Sequence, residues 1–307
     1  MSRLLGLIIL VVLAVVLAYA VLGNRDLAES GNATLDLVRN EGMARAGYSD
    51  SAPLAYGDAA RGLTGEAPEI ARVILQRMGV GRVEGVLTEP DDLIPELYAR
   101  RFEFIANGMA ITPKRCAELL FSEPTHAVGQ AFLVRRGNPL DLHSYEDLAK
   151  KREAHVGIVT GSPQHNYAIT AGVPSGQVRL LTATGAGVAS LISGVIDAFA
   201  SDALTIQQIV DQSGAGAPVE RALPFTGPMV DGHETKQYGA FAFRKADKGL
   251  MREFNSILKQ FIGTPEHLAL VRRFGITAAD LPAQGVTAKA LCQFGNPGPP
   301  QQLAATH

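Results

Sequence analysis

Asn107-Gly108-Met109-Ala110-Ile111-Thr112-Pro113-Lys114-Arg115-Cys116 is the stretch whose reading decides the fold. The apolar run Phe102 to Ala106 ahead of it predicts a buried strand. Gly108 lets the backbone bend, and Thr112-Pro113 are an N-cap and first residue for a helix predicted over Pro113 to Phe121. Such a strand-to-helix corner presents free backbone N–H groups and a positive dipole end, which suits a carboxylate. Arg115 falls in the first turn, where a cation opposes the dipole. An Arg aimed at an anion in a cleft explains that placement, through a two-pronged grip on a carboxylate. The plain alternative is an Arg on a solvated helix face.

Working outward, strands alternate with helices, the pattern of βαβ units and a mostly parallel sheet. Arg45 to Tyr48 opens the first strand, which ends in the loop Ser49 to Leu54. A turn at Gly62 to Gly65 precedes a helix with Ile70, Val73, Ile74 and Met78 on one face. Strand Val83 to Leu87, helix Leu93 to Tyr98 and strand Phe102 to Ala106 follow. Gln130 to Val134 reads as a crossover into a second set of elements: helix Tyr145 to Lys150, strand Val156 to Val159, turn Thr160-Gly161-Ser162 and helix Gln164 to Ala171. Strand Val178 to Leu181, helix Gly185 to Ile192 and strand Asp197 to Ala200 lead on to Asp202. Tyr238 to Phe243 is the return strand, and helices Leu250 to Ile262 and Pro265 to Phe274 complete the first set. The expected division is lobe 1 over 43–130 and 238–293, lobe 2 over 131–237, a spacer over 24–42 and a disordered tail over 294–307. Two lobes joined by two crossing strands make a cleft and permit hinge closure.

Length and composition agree with this. The chain has 307 residues, 47% hydrophobic and 19% charged, enough for two modest cores. A net charge of −2 gives no reason to expect nucleic acid. Leu4 to Gly23 is about 20 residues without a charge, long enough for a signal peptide with an Ala18-Tyr19-Ala20 cleavage site or for an uncleaved anchor. Either places the folded part outside the cytoplasm. No Cys follows that run, so lipoprotein anchoring is excluded. Cys116 and Cys292 are the only cysteines. In an oxidising compartment one disulfide is the default, with two buried thiols as the alternative. No His or Cys set has metal-ligand spacing, so neither metal nor cofactor is expected.

The central motif, preceded by Arg101-Phe102-Glu103-Phe104-Ile105, resembles the polar amino-acid family of ABC-transporter solute-binding proteins, family 3. Within it the chain is most similar to the ectoine/hydroxyectoine-binding proteins. Leu63 to Ala71, Gly129 to Val134, His143 to Leu148, Tyr238 to Phe241 and Phe261 to Leu268 look like that subfamily's blocks in the same order. The resemblance runs from about Arg45 to Cys292 and implies a type II periplasmic-binding-protein fold. It also implies a periplasmic protein that binds a small zwitterion, acts as a monomer and docks to ABC permease subunits.

Four groups are expected to converge in the cleft. Arg115, with Thr112, would hold a carboxylate from the first lobe. Thr160, Gly161 and Ser162 would offer donors to it from the second. Asp202 and the Gly108 carbonyl would accept from an ammonium group. By resemblance, these are the positions the wider family uses for an α-amino acid. Thr160, Ser162 and Asp202 also read as ordinary helix caps. Tyr48 lies on the cleft floor or in the core, Met109 in the core, and the His residues at 126, 143, 155, 165, 233 and 267 on surfaces or in loops.

The chain departs from the ectoine-binding pattern. Where that subfamily has an acid and an aromatic around the first-loop Pro, this chain has Ser51 and Leu54. Where it has two further aromatics, this chain has Pro90 and Ala110. Each aromatic face boxing a delocalised cation contributes about 0.5–2 kcal/mol, so their loss costs on the order of a thousandfold in affinity. Three functions follow: a binding protein for an ABC importer, a membrane-held sensory or degenerate relative, and an enzyme of the cyclohexadienyl-dehydratase type using Asp202 and Glu66. The last lacks a nucleophile–base pair, and no enzyme is expected.

Overall fold

The computed structural model describes residues 32–60, 62–230 and 233–294. The apolar leader or anchor over 1–23, residues 24–31 of the spacer and the tail beyond 294 lie outside the described residues; the rest of the expected spacer is helix, with Leu35 and Val38 packed in the first lobe's core. After a first helix α1 over residues 32–41, the chain forms β1 (Met43–Tyr48) and a hairpin, β2 (Tyr56–Asp58) with β3 (Gly62–Thr64). Then come α2 (Glu66–Arg77), β4 (Arg82–Leu87), α3 (Leu93–Tyr98), β5 (Phe104–Ala110), α4 (Pro113–Glu118), β6 (Leu119–Phe121) and β7 (His126–Val128). The second group is β8 (Gln130–Arg135), α5 (Tyr145–Lys150), β9 (Val156–Val159), α6 (Pro163–Thr170), β10 (Val178–Leu181), α7 (Thr184–Ile192), β11 (Ala198–Asp202), α8 (Ala203–Ser213) and β12 (Val219–Arg221). A hairpin, β13 (Met229–Val230) with β14 (His233–Glu234), precedes β15 (Gln237–Arg244), α9 (Lys248–Phe261), α10 (Pro265–Val271) and α11 (Ala288–Phe294).

These strands sort into two α/β lobes. The first sheet runs β4-β1-β5-β15-β6, with β7 also on β15; the second runs β10-β9-β11-β8-β12. In each, three strands are parallel and the crossover strand is antiparallel to them. Every residue of β15 is buried, as a central strand covered on both faces requires. Its Phe241 and Phe243 pack with Phe104 of β5 and Phe254 of α9, with ring centroids 4.7–6.3 Å apart. The second lobe has its own core around Phe132, Tyr145 and Ile158.

Four local expectations change. The Gly62 to Gly65 turn is partly the strand β3. The helix after Pro113 ends at Glu118, and Leu119–Phe121 turns away to pair with Phe121 opposite Ala242 of β15. β5 runs on to Ala110, so Gly108 bends the chain inside a strand: its φ is +58°, and the register with β15 shifts there. β11 extends to Asp202, placing that carboxylate at the strand end. A helix not foreseen, α11, packs on α4 and is tied to it by the Cys116–Cys292 disulfide, with Cα atoms 5.5 Å apart.

Candidate functional site

Between the lobes lies a cavity of about 1080 Å³. Its corners follow the carboxyl ends of strands: Ser49 to Leu54 after β1, Pro90 and Asp91 after β4, Thr112 to Arg115 after β5, Thr160 to Gln164 after β9, and Asp202 at the end of β11. Open α/β sheets hold ligands there because helix N-termini and loops converge at that edge. Of the residues singled out from sequence, Ser51, Leu54, Pro90, Gly108, Ala110, Thr112, Arg115, Thr160, Gly161, Ser162 and Asp202 all line this cavity. Tyr48 does not. It packs in the first lobe's core at 7% exposure, because the alternation of β1 turns its side chain away from the cleft.

Arg115 bridges the lobes. Thr112 Oγ1 caps α4 by accepting from the Arg115 N–H at 3.2 Å, which fixes the backbone that carries the side chain. The guanidinium donates to the Ala110 carbonyl at 3.0 Å in its own lobe and to the Gly161 carbonyl at 2.8 Å in the other. Burial pulls its pKa down to about 10, so it remains a cation at neutral pH. Among the described residues no carboxylate lies within ion-pairing distance of it.

The second lobe supplies the other polar groups. Ser162 occupies the N-cap of α6 but makes no capping bond, and its buried hydroxyl has no partner. Thr160 differs: its hydroxyl donates to the Leu181 carbonyl at 3.2 Å. Asp202 is the N-cap of α8, accepting from the Thr205 N–H at 2.9 Å and the Thr205 hydroxyl at 2.7 Å. A carboxylate has about four lone-pair sites, so capping leaves acceptor capacity facing the cleft.

Beneath Gly108 and Leu54 sits a pair that sequence reasoning missed. His126 and Glu66 are both fully buried, with Nδ1 3.2 Å from Oε1. A β-carbon at Gly108 would come within 3.0 Å of the His126 ring and 3.1 Å of Leu54, so the glycine keeps the floor thin as well as bent. His126 and His267 are thus core residues, not the surface groups expected. Glu66 does not line the cavity. Asn107 was also missed: its side chain accepts from the Ser49 N–H at 2.9 Å and donates to the Ser49 hydroxyl at 3.0 Å, tying the first loop to β5. Its neighbour Gly108 drew attention as a turn signal, and Asn107 could have been read with it as a loop-bracing side chain.

Two α/β lobes around a cavity at their strands' carboxyl ends are the architecture of a protein that binds a small solute. The chain belongs to the bacterial extracellular solute-binding proteins, family 3, which it matches over residues 44–276. It is 32% identical over 266 residues, 86% of this chain and 87% of the relative, to a probable amino-acid ABC transporter periplasmic-binding protein of Sinorhizobium fredii. Among solved structures it is similar to EhuB in complex with hydroxyectoine, at 30% identity and a TM-score of 0.75 over 84% of this chain and 97% of that one. It is also similar to an ancestral amino acid-binding protein, a precursor of cyclohexadienyl dehydratase, at 27% identity and a TM-score of 0.68 over 78% and 99% of the two chains.

Proposed function

We propose that this protein is the extracytoplasmic binding component of an ABC importer and holds a small carboxylated zwitterion, an amino acid or an ectoine-like compound, between lobes of 43–130 with 238–293 and of 131–237. The observation that carries the reading is Arg115: a half-buried cation lining the cleft, bonded to both lobes, with no carboxylate of its own. The ligand carboxylate is assigned to Arg115 and the Ser162 hydroxyl, and its ammonium group to Asp202 and the Gly108 carbonyl. Relatives named for transport and for amino-acid binding support this over a sensory role. The cavity position of Ser51, Leu54, Pro90 and Ala110 supports an amino acid over ectoine, since none of them offers an aromatic face to a delocalised cation.

A thermal-shift screen tests this on the exported domain, refolded from denaturant to strip bound ligand. The panel holds the proteinogenic amino acids, opines, betaines, ectoine and hydroxyectoine. At 100-fold excess over its dissociation constant a ligand adds about 2.7 kcal/mol, a shift of several degrees. A shift with one amino-acid class that vanishes in Arg115→Ala is the expected result. Shifts that persist in Arg115→Ala reject the site, and no shift across the panel rejects the ligand class.

A further inference from the structure

Three glutamines meet where the lobes are joined. Gln130 opens β8, the outgoing crossover, and Gln237 opens β15, the return. Gln164 lies in the first turn of α6, in the second lobe. Its amide donates both hydrogens, to Gln130 Oε1 at 2.8 Å and to Gln237 Oε1 at 3.2 Å. All three side chains are buried, at 2%, 3% and 9% exposure for Gln130, Gln164 and Gln237. One side chain of the second lobe is therefore bonded to both segments that connect it to the first lobe.

Stability alone is a poor reason for this cluster. A buried amide costs about 1–3 kcal/mol when its hydrogen bonds are unmade, and Gln130 Nε2 is buried without a partner. Replacing all partners by apolar groups of the same shape is close to neutral. What hydrogen bonds add is direction. The two amide hydrogens lie in one plane at a fixed angle, so spending both fixes that plane against two strands at once. Gln164 stands two residues after Ser162 and three after Gly161, the groups α6 brings to the cleft opposite Arg115. In a lobe that swings about its two connections, atoms beside those connections move little, so these bonds would hold through closure while the far end of α6 travels.

We propose that Gln164 is a hinge pin: a positioning residue that bonds both crossovers and so restricts the swing of the second lobe to the path that carries Gly161 and Ser162 to Arg115. The inference rests on the cleft-closing reading above but needs no particular ligand. It is tested by electron–electron distance measurement on the ligand-free protein, with spin labels on Leu37→Cys in α1, which packs on the first lobe, and Ile192→Cys in the second lobe, both exposed. The native cysteines are paired and take no label. Gln164→Met, which fills the space but donates nothing, is expected to widen the distance distribution by about twofold, as more lobe orientations become populated. The combined Gln130→Leu, Gln164→Met, Gln237→Leu protein strands no buried acceptor. It is expected to regain urea stability and keep the wide distribution. A narrow distribution in either protein overturns the proposal and reduces the glutamines to packing. Failure of every ligand to bind would reject the proposed function and leave this reading of the ligand-free lobes intact.

Discussion

Arg115 Nη2 donates to the Gly161 carbonyl oxygen at 2.8 Å, so a side chain of the first lobe is bonded to the backbone of the second. That bond and the one to Ala110 orient the guanidinium plane, and the planar fork is what a lysine lacks. Arg115→Lys keeps the charge and loses the fork. Affinity for the ligand identified by the screen is expected to fall about 10- to 100-fold, the loss of one charge-assisted hydrogen bond at about 1.5–3 kcal/mol. Titration calorimetry measures it, and unchanged affinity would show that the ligand sees only a point charge.

How far this site can be read in the sequence depends on the range of the interactions that form it. Thr112 and Asp202 act through caps three residues away, and local chemistry announces them. Leu119-Leu120-Phe121 reads as the continuation of a helix because nothing local reveals its partner, β15, more than a hundred residues later. His126 is the same case: its partner Glu66 is 60 positions earlier. A signal was present, since Glu66 shares the buried face of α2 with Ile70 and Ile74 at helical spacing, and a carboxylate on such a face needs a partner. The helix α11 was announced too weakly, by Thr287, whose hydroxyl accepts from the Ala290 N–H. Tyr48 reads as cleft floor or core in the sequence, and strand pairing across β1 decides for the core.

The Cys116–Cys292 bond closes a separation of 176 residues and holds α11, whose Leu291 and Phe294 line the cavity. Loss of loop entropy in the unfolded chain is the main source of its stabilisation, at about 2–5 kcal/mol. Cys116→Ser with Cys292→Ser is expected to lower unfolding free energy in urea by about that amount. Reductant should destabilise the native protein and leave the double variant unmoved. Equal sensitivity of the two to reductant would count against a structural role.

Gly161 has φ +73°, and a β-carbon there would come within 3.1 Å of Asp91 Oδ1 across the cleft. Gly161→Ala is expected to cost about 1–2 kcal/mol through the left-handed backbone alone. It should also weaken ligand binding, because the new methyl meets Asp91 where the lobes approach. Adding Asp91→Ala is expected to restore part of the affinity and none of the backbone cost. Comparison of urea unfolding with titration separates the two, and a stable, tight-binding Gly161→Ala protein would contradict both.

The buried pair makes stability depend on pH in a stated direction. Burial works to lower the pKa of His126. The charge and hydrogen bond of Glu66 on α2, with the charges of Asp202 at the end of β11 and Asp280 before α11, outweigh it and raise the pKa above 6.5. A histidine raised on folding contributes stability that is fully present below its unfolded value near 6.5 and is lost as pH rises through the folded value. His267 works the other way, since burial lowers its pKa despite the charge of Glu66. Wild type must therefore be compared with His126→Gln, which keeps His267. The stability of wild type relative to this variant is expected to be greatest below pH 6.5 and to decline above it. Glu66→Gln should flatten that difference by removing the charge that holds the proton. A difference that grows with rising pH would mean that His126 is buried neutral, with burial prevailing over Glu66.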